Sequence, residues 1–199
     1  MKLSSLFKPI YLTKRAFQRC YELRHPEEPW ITRGAINFCK DHLSSEFIAL
    51  EWGSGRSTLW FANKVGHLTS VEHDEEWFQK ISQRIKENQL QDITYLYRPL
   101  GHPPSLVIPF EERLETPYVR VADLFQSESL DLVIVDGHYR EACIAAVLPK
   151  LRPGGLLLLD NSNWLPLDQW NVPSKWKVVH QSFSVNNQTT VWRKSNAVI

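Results

Sequence analysis

Residues 47–58 read Phe-Ile-Ala-Leu-Glu-Trp-Gly-Ser-Gly-Arg-Ser-Thr. The opening run, Phe47 to Leu50, is short and wholly apolar, as a strand buried on both faces requires. It ends on Glu51 and passes through Gly53-Ser54-Gly55 into a helix-compatible run, Ser57 to Val65, closed by Gly66. Strand, glycine turn and helix in that order bring a ligand to the carboxyl end of the first strand of an α/β sheet. Glycines in such a turn let backbone approach the ligand where a Cβ would clash.

The flanking residues narrow the ligand. A dinucleotide fingerprint carries a third glycine where this chain has Thr58, and no GxxxxGK[ST] phosphate loop occurs. Glu51, two residues ahead of Gly53, would repel a pyrophosphate and attract a cation. S-adenosylmethionine carries an ammonium and a sulfonium but no phosphate, so it suits this turn. The next strand, Gly66 to Glu72, ends on a second acid 21 residues beyond Glu51. An acid there hydrogen-bonds the ribose hydroxyls of an adenosine.

Four stretches in sequence order, ALEWGSGRSTLWFA, LTSVEHDEEW, LDLVIVDGHYR and LRPGGLLLLDN, resemble the class I S-adenosylmethionine-dependent methyltransferases over residues 45–193. The resemblance implies a Rossmann-like, doubly wound α/β fold. Its sheet would be mostly parallel, with a terminal antiparallel hairpin formed here by Lys177–Val185 and Gln188–Arg193. It also implies a cofactor site: Glu51 toward the methionine ammonium, Gly53, Ser54, Gly55 and Ser57 as cradle, Glu72 on the ribose, and His73 and Asp136 beside them. The implied reaction moves the methyl group onto an oxygen or nitrogen of a small molecule.

Asp136, Asp160 and Asn161, with Trp164 three residues further on, resemble the metal site of caffeoyl-CoA-type O-methyltransferases. Oxygen ligands of this kind suit Mg²⁺ or Mn²⁺. The chain departs from that pattern after Asp136, where Gly137-His138-Tyr139 lacks the family's second acid and its lysine. Without a metal, deprotonating a hydroxyl acceptor needs a side-chain base. His138, whose ordinary pKa lies near 6.5, is one candidate and Asp136 the other. Arg140 either binds an anionic substrate or, as the favoured expectation, pairs locally with Glu141 or the surroundings of its helix.

The remaining chain reads as support. Ile93–Tyr97 and Leu130–Val135 read as the third and fourth strands, and Leu156–Leu159 as the fifth. A helix is expected from about Arg140 to Leu151, stopped by Arg152-Pro153-Gly154-Gly155. Its 199 residues suit one domain, taken as an N-terminal helical cover over 1–44 and a methyltransferase domain over 45–199. A net charge of +1 argues against bulk capture of nucleic acid. Cys20, Cys39 and Cys143 fit neither a disulfide framework nor a zinc spacing, so a cytoplasmic setting is expected. No apolar run is long enough for a membrane span. Residues 1–24 are basic, which suits either a membrane-surface or partner arm or, as the favoured expectation, a cover packed on the domain. A helix follows Pro29, with Ile31, Ala35, Phe38, Cys39 and Leu43 along its apolar face. Asp74 caps a helix whose buried stripe is Trp77, Phe78, Ile81 and Ile85. Five prolines between Arg98 and Arg120 preclude a regular helix through most of that segment. It is a candidate binding loop. Two other uses of the fold stay open: an aminopropyltransferase with a decarboxylated cofactor, and a non-catalytic S-adenosylmethionine-binding protein.

Overall fold

The computed structural model describes residues 19–21 and 23–196. Most of the basic N-terminal arm lies outside the described residues. Seven strands form one sheet: β1 Ile48–Trp52, β2 His67–Glu72, β3 Ile93–Tyr97, β4 Leu130–Val135, β5 Leu151–Leu159, β6 Lys177–Phe183 and β7 Gln188–Arg193. Their spatial order is β3-β2-β1-β4-β5-β7-β6. The first five are mutually parallel, and β7 runs antiparallel between β5 and β6. This is the expected doubly wound sheet with its terminal hairpin.

Side chains alternate across the sheet because successive Cβ atoms point to opposite faces. Leu50, Trp52, Val71, Val133, Val135, Leu157 and Leu159 face one layer, which holds helix α5 (Arg140–Val147) and a 3₁₀ turn at Val119–Leu124. Ala49, Leu68, Leu132, Ile134, Leu156 and Leu158 face the other, beneath α1 (Arg33–His42) and α2 (Arg56–Ala62). Two further helices are α3 (Glu75–Glu87) and α4 (Phe110–Leu114). Among the described residues no helix is long and apolar enough to cross a membrane.

Several boundaries differ from the sequence reading for identifiable reasons. Helix α1 starts at Arg33, not at Pro29, because the Thr32 hydroxyl accepts the Ala35 N–H and caps it there. Helix α5 ends at Val147, and β5 begins at Leu151 rather than Leu156. Between the β4–β5 pairs Leu130–Leu151 and Leu132–Leu156 the register shifts. Arg152-Pro153-Gly154-Gly155 occupies that bulge, where a residue without an N–H can enter a strand. Asp74 caps α3 as expected, accepting the Trp77 N–H at 2.7 Å, but only Ile81 of its apolar stripe is fully buried. The proline-rich segment contains α4 and is otherwise irregular up to the 3₁₀ turn.

Strand order reverses between β1 and β4, where a doubly wound sheet opens a crevice at its carboxyl edge. Trp52 is registered with both Val71 and Val135, and Val135 with Leu159. Glu51, Glu72, Asp136 and Asp160 therefore emerge together at that edge.

Candidate active site

Glu51 is fully buried at the end of β1. Its Oε2 accepts the hydroxyls of Thr58 at 2.7 Å and Ser70 at 2.6 Å. Its Oε1 is buried without a hydrogen-bond partner. Burial pushes the carboxyl up to about 7, against the opposing pull of the nearby Ser57, Ser70 and Thr58 hydroxyls. A buried carboxylate with one unpaired oxygen is costly, and a cationic ligand group relieves that cost.

Glu72, also buried, has the reverse electrostatics. Its Oε2 accepts the Ser54 N–H at 3.1 Å and hydroxyl at 2.7 Å, and Oε1 accepts the His73 and Asp74 N–H groups at 2.8 and 3.0 Å. His73 Nδ1 lies 2.9 Å from Oε1 without hydrogen-bond geometry. Burial alone would raise this carboxyl. The His73 imidazole, the Asp74 N–H, the Ser54 hydroxyl and the His73 N–H outweigh it and hold the group down at about 2. Glu72 is thus a permanent anion, fastened to the glycine turn by Ser54, whose hydroxyl also bonds Tyr95 Oη at 2.7 Å.

The turn itself depends on two close approaches. Gly53 has φ +89°, and a Cβ there would lie 2.7 Å from the Asp136 carbonyl carbon and from Gly137 Cα and N. A Cβ on Gly137 would collide with Tyr118 Oη, which accepts the His138 N–H at 3.3 Å. The β1 and β4 loops therefore touch backbone to backbone across the crevice. Trp77, from α3, donates its indole N–H to Ser54 O at 2.8 Å, so the helix expected to be scaffold also pins the turn.

On the β4 side, burial and the neighbouring Asp160 and Glu51 charges hold Asp136 above the usual carboxylate range, against the pull of Arg140. His138 is lowered by burial and by His73, whose ring centroid is 5.0 Å away; it is neutral near pH 7. His138 Nε2 lies 3.4 Å from Pro104 O, and Tyr139 Oη bonds His102 Nε2 at 2.7 Å. Both contacts fasten the proline-rich segment over the β4 loop. Tyr139 is held at φ +48°, in the left-handed region that bulky residues rarely enter. Beside these residues opens a pocket of about 420 Å³ walled by Pro104, Leu106, Val107, Trp164 and Leu165, with His138 and Arg140 also on its lining.

Asp136, Asp160 and Asn161 lie at adjacent strand ends, and their side-chain oxygens are already engaged by protein donors. The Asp160 carboxylate accepts Thr189 Oγ1 at 2.6 Å and Asn187 Nδ2 at 2.8 Å, fastening β5 to the hairpin. Asn161 Nδ2 donates to Asn187 Oδ1 at 2.9 Å. The position between Asp136 and Asn161 holds the Arg140 guanidinium, which donates to Asp136 Oδ1 and Asn161 Oδ1, each at 3.0 Å. With that position already filled by a cationic side chain, the arrangement does not fit the expected divalent ion.

A methyltransferase-domain family matches residues 50–162, more than half of the chain. The chain belongs to the class I S-adenosylmethionine-dependent methyltransferases. Solved structures agree on the fold. An rRNA methylase from Streptococcus thermophilus superposes with TM-score 0.60 at 12% identity, covering 84% of this chain and 100% of that one. A methyltransferase-like protein from Silicibacter pomeroyi gives TM-score 0.60 at 19% identity, covering 86% and 91%. A Streptococcus mutans protein in complex with S-adenosylhomocysteine (SAH) gives TM-score 0.60 at 10% identity, covering 82% and 99%. No curated protein sequence matches the chain.

The crevice of this methyltransferase brings together Glu51, Gly53, Ser54, Gly55, Ser57, Glu72, His73, Asp136 and His138. The sequence reading missed the roles of Trp77 and Arg56 and misjudged the partner of Arg140. Trp77 gave only the signal of a buried helix stripe. Arg56, inside the quoted motif, has a buried Nη1 without a partner and lies 4.9 Å beneath the exposed Trp30 ring. Arg140 pairs with Asp136 rather than with Glu141; the i,i+4 spacing of Asp136 and Arg140 was the available signal.

Proposed function

We propose that the chain moves the methyl group of S-adenosylmethionine onto an oxygen or nitrogen of a small molecule seated in the pocket beside His138. The observation that carries this reading is Glu51. A fully buried acid with an unpartnered oxygen at the glycine turn suits the cofactor's ammonium, and the permanent anion Glu72 beside it suits the ribose. Arg56, with its unpartnered Nη1, suits the methionine carboxylate, and Trp30 covers that end. Gly53, Ser54, Gly55 and Ser57 form the cradle, and His73 lies beside the ribose acid.

The transfer is a direct displacement. An acceptor lone pair forms the new bond to the methyl carbon while the carbon–sulfur bond breaks and its electron pair stays on sulfur, leaving SAH. The acceptor's proton passes to His138, neutral at pH 7, or to Asp136, whose raised affinity for protons suits a base. The sulfonium is already activated, so holding the two partners in line supplies much of the acceleration. The apolar walls, Leu106, Val107, Trp164 and Leu165, favour an acceptor with an apolar or aromatic body.

The test is incubation of the full chain with S-adenosylmethionine and a mixed panel of phenols, alcohols and amines, with SAH followed by mass spectrometry. Acceptor-dependent SAH release that falls at least tenfold in the Asp136→Asn, His138→Gln double variant supports the reading. Tight cofactor binding with no acceptor-dependent release across the panel favours a non-catalytic binding protein instead.

A further inference from the structure

The Arg140 side chain is 7% exposed and surrounded by oxygen. Its Nε donates to Gly137 O at 3.0 Å, and Nη1 to Asp160 O and to Asn161 Oδ1 at 3.0 Å. Its Nη2 donates to Asp136 O and to Asp136 Oδ1, each at 3.0 Å. These contacts use all five N–H donors of a guanidinium. One face of the ion is covered by Trp164, whose ring centroid lies 4.3 Å from Cζ. Five oxygens, one of them a carboxylate's, around one buried cation make up the hard donor shell that a divalent ion would otherwise use. A second cation at these ligands would meet strong repulsion at low dielectric.

Resting on the methyltransferase reading, we propose that Arg140 is the resident cation of the crevice, tying the carboxyl ends of β4 and β5 together and aiming Asp136, so that cofactor and acceptor bind without a divalent ion. With every N–H engaged, Arg140 has no donor left for an acceptor. It is a positioning residue that acts through Asp136, of which it engages Oδ1. A metal ion with open positions selects acceptors that chelate it through two neighbouring oxygens. A saturated guanidinium exerts no such selection. The acceptors this site admits therefore include single hydroxyls and amines, with no preference for vicinal diols.

The experiment follows Mn²⁺ by electron paramagnetic resonance with the purified full chain, with and without saturating SAH. It uses wild type, Arg140→Lys, Arg140→Met, Asp136→Asn and the Arg140→Met, Asp136→Asn double variant. The wild type is expected to leave Mn²⁺ free, and Arg140→Lys, which keeps a cation in place, to do the same. Arg140→Met should take up about one Mn²⁺, and adding Asp136→Asn should abolish that uptake. A merely structural arginine would produce no such gain. SAH affinity, measured by calorimetry, should be the same in EDTA and in Mg²⁺. Three results would overturn the proposal: wild-type Mn²⁺ uptake that Asp136→Asn removes, a folded Arg140→Met protein that takes up none, or SAH affinity that EDTA weakens. If Arg140→Met does not fold, the wild-type and EDTA measurements decide. Absence of SAH binding in every buffer, with Mn²⁺ left free by the wild type, would count against the cofactor reading and not against the role of Arg140.

Discussion

Two buried acids of the crevice, only 21 positions apart in sequence, hold opposite electrostatic states, and the contrast is set by hydrogen-bond donors. Glu72 collects backbone N–H groups and the Ser54 hydroxyl, whereas Glu51 keeps an oxygen with no partner. With its native pKa at about 7, Glu51 burdens the unliganded fold as pH rises from the ordinary carboxyl range through 7, because the folded state releases its proton later than the unfolded chain. Glu51→Gln should therefore stabilise the unliganded protein at pH 8 by on the order of 1–3 kcal/mol. The gain should fade toward pH 4.5 and be read by thermal or urea denaturation at both pH values. The same substitution should weaken SAH binding. In the wild type, SAH affinity should rise with pH up to about 7, since only the ionised carboxyl attracts an ammonium, and then level off. A pH-independent affinity would remove Glu51 from the cofactor site. Both acids were legible in the sequence because each ends an expected strand of the sheet, where a buried charge needs a purpose. Arg140 was not, since four of its five acceptors belong to backbone or to a residue on another strand, and no spacing reveals those.

At the scale of elements, the β1 turn and the β4 loop are a matched pair. Gly53 and Gly137 are small because each backbone occupies the space the other's Cβ would need. Gly53→Ala adds a clash with backbone, which cannot swing aside as a side chain does, and strains a residue at φ +89°. It should cost about 1–3 kcal/mol of stability and open the crevice, lowering SAH affinity in parallel. Denaturation and calorimetry on one preparation test this, and retention of both properties would show that the loops can part without consequence. The sequence placed β3 and β4 at their observed ends, because each is a short run rich in β-branched, aromatic and leucine residues bounded by polar ones. It misplaced the start of β5, because Pro153 and two glycines read as a helix stop while the pairing with β4 absorbs them as a bulge.

At the scale of the molecule, the sheet gathers four acid-ended strands at one edge, and the chain on either side serves that edge. Helices α1 and α2 cover one face, and α5 with the 3₁₀ turn covers the other. The proline-rich segment is tied to the β4 loop through His102 and His138, which makes it a wall of the pocket proposed for the acceptor. Fold and cofactor were readable because a glycine turn with flanking acids is local. The proposed acceptor pocket was legible only in pieces: the proline-rich segment, His138 and Trp164 each stood out separately, but residues 104, 138 and 164–165 are brought together only by the folded sheet. The measurement that tests the central claim most directly is calorimetric titration of SAH into the wild type and Glu72→Ala, side by side. The account predicts saturable one-site binding to the wild type, weakened by roughly 1.5–3 kcal/mol in the variant, the scale of hydrogen bonds to a charged group. Equal affinity for the two proteins, or no binding to a folded wild type, would contradict it.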